Sequence, residues 1–136
     1  MQLERVFLER LIFWGAASVF AGTAVLAALA VWRTRSVMLS YFAWQTMLWG
    51  VGALVIGVVR WRNIPLRDLA AATRLDRFLW FDAGLAVGVV LMGLALSLTA
   101  LKLGPRQGLL GAALAIIVQG AALFAIHARL MVALQV

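Results

Sequence analysis

The sequence predicts an all-α membrane protein, folded as one antiparallel bundle of four transmembrane helices. Of its 136 residues, 65% are hydrophobic and only 12% are charged, which is far from the balance of a soluble domain. The apolar residues form four runs, which predict helices at about 11–32, 37–59, 78–101 and 109–129. A helix needs about 20 residues to cross a bilayer core, and runs this continuously apolar do not suit barrel strands. Residues 1–136 are therefore predicted to be a single transmembrane domain.

The first ten residues predict a short amphipathic lead-in that runs into the first membrane helix. Leu3, Val6 and Phe7 share one side of a helical turn, and charged residues occupy the rest. The next loop, 33–36, is very short, so the first two helices are expected to form a tight antiparallel hairpin.

The middle segment, 60–77, leaves two alternatives open. Its second half favours a helix with leucines on one face and Arg67 and Arg74 on a neighbouring face. This pattern suits a cytoplasmic interfacial helix, with arginines towards lipid phosphates. It equally suits a helical extension of the third membrane helix. The loop at 102–108 then stops that helix with Gly104 and Pro105 and closes the second hairpin.

The basic residues predict the topology. A net charge of +7 in a soluble protein would suggest nucleic acid, but here the charges flank the apolar runs, so lipid is the expected partner. Four lie on one side: Arg33, Arg35, Lys102 and Arg106. Eight lie on the other: Arg5, Arg10, Arg60, Arg62, Arg67, Arg74, Arg77 and Arg129. The positive-inside rule therefore places both termini in the cytoplasm, as in a multi-pass protein of a bacterial inner membrane.

A faint internal repeat is also present. A shift of 67 residues aligns Leu8-Glu9-Arg10 with Leu75-Asp76-Arg77 and Arg62 with Arg129. Each half would then be one helical hairpin, and the two would form a parallel pseudo-repeat. Apolar chains align easily by chance, so chance similarity is the competing explanation.

Ionisable residues near the ends of the apolar runs are the first candidates for function. Asp82 lies about 6 Å from the start of the third helix, at a depth similar to His127 and Arg129 in the fourth. Asp82 and His127 could form a proton-exchanging pair, because histidine titrates near neutrality and burial tunes a carboxylate. The simpler alternative is structural, since the helix dipole and nearby arginines stabilise a carboxylate in a first turn.

A second candidate cluster lies nearer the middle of the membrane. Gln45 and Gln119 have amides that can hydrogen-bond between helices, and Trp49 lies one turn from Gln45. A Gln45–Trp49–Gln119 cluster could line a polar cavity, but such residues more often join helices.

The remaining signals concern lipid and packing. Tryptophans near helix ends predict an aromatic belt, formed by Trp14, Trp32, Trp61 and Trp80. Two small-residue pairs permit close helix approach within the bundle or between protomers: Gly84 with Gly88, and Ser18 with Gly22.

Several classes of function are disfavoured. The chain has no cysteine, and no metal site, catalytic set or phosphate-binding loop is visible. One histidine cannot bind a bis-His haem, and no cofactor is expected. The minor alternative is a tetrapyrrole held by His127 alone.

Three segments carry a family resemblance: "SYFAWQTMLWGVGALVIG" (40–57), "LWFDAGLAVGVVLMG" (79–93) and "IIVQGAALFAIH" (116–127). They resemble a small bacterial four-helix membrane family classed as a domain of unknown function. The matching positions are Phe42, Trp49, Ala83-Gly84-Leu85 and Gln119-Gly120. The family pattern has Asn at Asp82 and Asp at Ala86 and His127, and it has asparagines at Thr46, Gly50 and Ala53. The resemblance implies a four-helix bundle and no activity.

The expected function is that of a non-catalytic membrane protein, an accessory or assembly subunit packed against other membrane proteins or a second copy. The alternative is a small homo-oligomeric transporter or channel, in which Asp82, His127, Gln45 and Gln119 line the path.

Overall fold

The structure, a computed structural model, describes residues 2–62, 69–104 and 106–135, without the side chains of 2–4, 69–76, 78–79 and 133–135. Four helices make up the described part of the chain: α1 (Gln2–Val31), α2 (Val37–Arg62), α3 (Leu69–Lys102) and α4 (Gln107–Gln135). Each contains a stretch long and apolar enough to cross a membrane. The prediction of four apolar helices and no strand is confirmed for the described residues.

The helices extend beyond the apolar runs. The lead-in is part of α1, and residues 69–77 are the beginning of α3. The structure therefore shows the helical-extension alternative for 69–77, whereas residues 63–68, with Arg67, lie outside the described part, as does the side chain of Arg74. Ser36 accepts a hydrogen bond from the Leu39 N–H at 3.3 Å, which caps α2 at its predicted start.

Helices α1 and α2 pack closely through small residues. A Cβ added at Gly50 would lie 2.8 Å from the Gly15 carbonyl oxygen, and one added at Gly22 would lie 2.7 Å from that of Ala43. Such distances are too short for any side chain, so the two backbones meet only because these positions are glycine. Ser18 and Gly22, one of the two predicted packing pairs, lie in this interface.

Helix α4 lies at the centre and contacts all three other helices. It runs antiparallel to α3, with Gly120 against the Ala86 backbone and Gly93 against Ala113. It also contacts α1, where Phe7 and Leu8 pack with Leu130. Phe7 and Leu8 of the lead-in therefore point into the bundle. The prediction had placed Val6 on the same apolar side as Phe7, but Val6 is 41% exposed.

Helix α3 is attached on one side only. Among the described residues it packs against α4 and makes no backbone-level contact with α1 or α2. Helix α1 contacts both α2 and α4, so the two hairpins are not arranged alike. A cleft remains between α2 and α3, with α4 as its floor, and this cleft contains the candidate site.

Candidate functional site

The ionisable pair forms at one end of the α3–α4 interface. Because α3 and α4 are antiparallel and held by Gly93 and Gly120, the first turns of the apolar part of α3 lie beside the last turns of α4. Asp82 Oδ2 and His127 Nε2 are 2.6 Å apart. His127 is buried, and the Asp82 side chain keeps 27% of its surface exposed.

One proton is shared by this pair. His127 Nδ1 lies 2.7 Å from the Leu123 carbonyl oxygen, which can only accept, so Nδ1 carries a hydrogen. The short contact between Nε2 and the Asp82 carboxyl then requires one further proton, either on the imidazole or on the carboxyl. Phe7 packs its ring edge-on against the imidazole, with centroids 5.0 Å apart. The arrangement fixes the ring and can hold a proton at a defined position.

The charged neighbour of this pair is Arg60, at the end of α2. Arg60 lines the same cleft and lies within electrostatic range of both Asp82 and His127. Arg129, the predicted neighbour, is exposed in a separate groove with Glu9 and Arg10 between α1 and α4. Positions 127 and 129 lie on different faces of α4, because a step of two residues rotates a helix by about 200°. The sequence could have indicated Arg60 as a neighbour of Asp82, because both were predicted to lie on the same side of the membrane.

The second predicted cluster, Gln45, Trp49 and Gln119, lines one cleft, but the hydrogen bonds of Gln119 go to α1. Gln119 accepts a hydrogen bond from the Trp14 indole N–H at 2.8 Å and donates one to the Ser18 hydroxyl at 3.1 Å. Gln119 is 2% exposed, so these two bonds join α4 to α1 inside the protein. Gln45 and Trp49 are half-buried in the cleft and make no hydrogen bond to each other, to Gln119 or to another described residue.

The indole N–H of Trp14, a predicted belt residue, points to Gln119 inside the bundle, and the place of Trp14 in an aromatic belt stays a prediction. Trp14 and Ser18 are four residues apart and share a face of α1, a spacing that could have indicated a joint partner. Of the other predicted belt residues, Trp32 and Trp61 are exposed near helix ends, and Trp80 is exposed at the start of the apolar span of α3. Arg77 is also exposed.

Gly84 and Gly88 lie on an exposed face of α3. A Cβ added at either position would meet no atom within 4 Å, so this pair permits no close approach within the described chain. The predicted approach between protomers stays a prediction.

The cleft between α2 and α3 has a volume of about 520 Å³. Its charged end contains Arg60, Asp82 and His127. The rest is mainly apolar and is lined on its two walls by Leu48, Gly52, Ala53, Ile56, Leu85, Ala86 and Val89. A tetrapyrrole bound through His127 Nε2 would require this nitrogen to leave Asp82.

The four described helices are each long and apolar enough to cross a bilayer, as in a multi-pass membrane protein. Residues 10–128 match the family described as Family of unknown function (DUF6992), and the chain belongs to this family. The predicted resemblance to a domain of unknown function is thus confirmed. No curated protein and no solved structure matched the chain.

Proposed function

We propose that this protein is a non-catalytic subunit of the bacterial inner membrane, packed through α3 against another membrane protein or a second copy. The observation that carries the proposal is the attachment of α3 to α4 alone among the described residues. The connections between α1 and α2, at 32–36, and between α3 and α4, at 103–106, are short.

The outward face of α3 suits a close helix contact. Gly84 and Gly88 are one turn apart and exposed, so a neighbouring helix can approach the α3 backbone there. Of the buried polar side chains among the described residues, Gln119, Ser18 and His127 are hydrogen-bonded within the chain, which supports a structural function, and the Thr46 hydroxyl has no partner. The predicted orientation, with both termini in the cytoplasm, belongs to this proposal and follows from the basic residues.

Site-specific crosslinking tests the proposal, because the chain has no native cysteine. A Gly84→Cys variant carrying a thiol-linked photo-crosslinker is irradiated in native membranes, and the products are identified by mass spectrometry. Ala16→Cys is the matched control, because it is an exposed position on α1. Positions 16 and 84 also lie at a similar depth in the bundle. Each is two positions before a residue that contacts α4, and these residues, Ser18 and Ala86, contact the consecutive residues Gln119 and Gly120. We expect one specific product from position 84 and none from position 16. Equal, diffuse labelling at both positions would show that α3 faces lipid.

A second candidate function rests on the shared proton. Proton-linked transport would use the Asp82–His127 pair, which lies in a cleft and has an exposed carboxylate edge. Asp82→Asn keeps a hydrogen-bonding group but removes the titrating carboxyl. In proteoliposomes containing a pH-sensitive dye, proton flux is expected in the wild type and in Glu9→Gln, and not in Asp82→Asn. Absence of flux in the wild type, or unchanged flux in Asp82→Asn, would exclude this function.

A further inference from the structure

We propose that the cleft between α2 and α3 binds one phospholipid with a zwitterionic head group, whose ammonium group meets Asp82 and whose phosphate meets Arg60. The lipid's acyl chain would lie between the apolar walls of the cleft. This inference is independent of the contact proposed for the outward face of α3.

The dimensions of the cleft fit an acyl chain. Along α2 it runs from Gln45 to Arg60, a distance of about 22 Å at 1.5 Å per residue. One leaflet contributes about 15 Å to a hydrocarbon core of about 30 Å, so a chain anchored at Arg60 would lie within the cleft for its whole length. The volume of about 520 Å³ is in the usual range for small-molecule sites, about 300–1,000 Å³.

The charged groups of the cleft lie together at one end, as in an amphiphile, whereas the neutral amides of Gln45 and Gln119 lie further along it. Arg60, Asp82 and His127 lie at one end, close to where the apolar spans of α2 and α3 end and begin. Beyond them, Gly52, Ile56, Leu85 and Val89 provide apolar walls. A phospholipid has the same order, with the charged head at the surface and the chain below it.

The charges at this end select the head group. A guanidinium binds phosphate well, and a carboxylate accepts hydrogen bonds from a primary ammonium group. A purely cationic head would be repelled by Arg60, and a purely anionic head would bring no ammonium group to the partly exposed Asp82 carboxyl. A quaternary ammonium group carries the same charge as a primary one but has no N–H to donate. Phosphatidylethanolamine therefore satisfies both residues better than phosphatidylcholine or phosphatidylglycerol.

Lipid-dependent stability tests this site. Purified protein in mild detergent is given equal mole fractions of phosphatidylethanolamine, phosphatidylcholine or phosphatidylglycerol with identical chains. Thermal unfolding is followed, and native mass spectrometry counts the retained lipids. We expect one retained phosphatidylethanolamine per protein and the largest rise in Tm with this lipid. Asp82→Asn is expected to remove the preference over phosphatidylcholine.

Two glycine variants separate the cleft from the general lipid shell. Gly52→Leu fills the cleft, and Gly84→Leu adds the same side chain to an exposed helical glycine outside it. In both cases a Cβ meets no atom within 4 Å. We expect the bound phosphatidylethanolamine to be lost in Gly52→Leu and retained in Gly84→Leu. If Gly52→Leu fails to fold, Leu85→Trp fills the cleft from the opposite wall.

Three results would overturn the proposal. The first is equal stabilisation by all three lipids, which would mean that only surrounding lipid is sensed. The second is a preference for phosphatidylglycerol, which would contradict the assignment of Asp82. The third is undiminished retention of phosphatidylethanolamine in the cleft-filling variant.

Discussion

Gln119 is predicted to be the polar residue whose hydrogen bonds contribute most to the stability of the helix bundle. It bonds to Trp14 at 2.8 Å and to Ser18 at 3.1 Å, and it is almost completely buried. Interhelical hydrogen bonds in membranes contribute about 0.6 kcal/mol on average and up to about 1.7 kcal/mol each. Gln119→Leu, which removes both, is therefore expected to lower the free energy of unfolding by about 1–3 kcal/mol.

A double-mutant cycle isolates one of these bonds. Trp14→Phe removes the indole N–H and keeps an aromatic ring, and the cycle with Gln119→Leu cancels the change in size. The expected coupling is about 0.6–1.7 kcal/mol. The free energies are measured by unfolding the protein in mixed micelles with increasing denaturing detergent, followed by circular dichroism, which does not depend on the tryptophan removed.

Gln45 provides the matched control. It is also a glutamine within an apolar span, but it makes no hydrogen bond to a described residue. Gln45→Leu is expected to leave the free energy of unfolding unchanged or to raise it. A Trp14–Gln119 coupling below about 0.3 kcal/mol, within ordinary additivity error, would refute the reasoning. An equal loss of stability for the two glutamine variants would refute it as well.

Three further predictions concern packing and the ionisable pair. Gly50→Ala is expected to lower the free energy of unfolding by about 1–3 kcal/mol, because its Cβ would lie 2.8 Å from the backbone of α1. Gly52→Ala, in open space, should leave the free energy of unfolding unchanged or raise it by up to about 1 kcal/mol. Thermal unfolding in detergent measures both variants. Asp82→Leu is expected to lower the free energy of unfolding by about 1–3 kcal/mol, because the buried His127 ring loses its hydrogen-bond partner. Asp82→Asn should lower it less, since the Asn amide can donate to His127 Nε2. A reversed order of the two variants in detergent unfolding would contradict the shared-proton arrangement. Phe7→Leu should lower the free energy of unfolding by about 0.5–1.5 kcal/mol, because the ring contact with His127 is lost. The imidazole resonances of His127 should also shift in NMR spectra. Val6→Leu, on the exposed side of the helix, is the control and should change neither the stability nor these resonances.

The pairing of Asp82 with His127 was foreseeable because it depends on depth and direction. Short hairpin loops make consecutive helices antiparallel, so the beginning of α3 and the end of α4 lie at one side of the bundle. A rise of 1.5 Å per residue then places residues 82 and 127 at nearly the same level. The choice between His127 and Arg129 could not be made this way, because it depends on the rotation of α4 about its axis.

The partner of Gln119 was not foreseeable for a related reason. A helix in a soluble protein usually has one apolar face that points to the core. Here the helices are apolar around most of their circumference, because lipid and protein interior are both apolar environments. The pattern therefore does not say which face of α4 turns to α1, and it allowed Gln45 and Trp14 equally as partners.

The sequence by itself determined the class of this protein. Hydrophobicity and run length are properties of consecutive residues, and comparison with bilayer thickness turns them directly into four helices long and apolar enough to span a membrane. Only the tertiary structure decided that α4 is central, that α3 contacts α4 alone among the described residues, and that a cleft with Arg60, Asp82 and His127 at its end separates α2 from α3. These features depend on where glycines let two backbones meet, as Gly15 and Gly50 do in the α1–α2 interface. They also depend on positions such as Gly52, where no other part of the protein comes close and the cleft stays open.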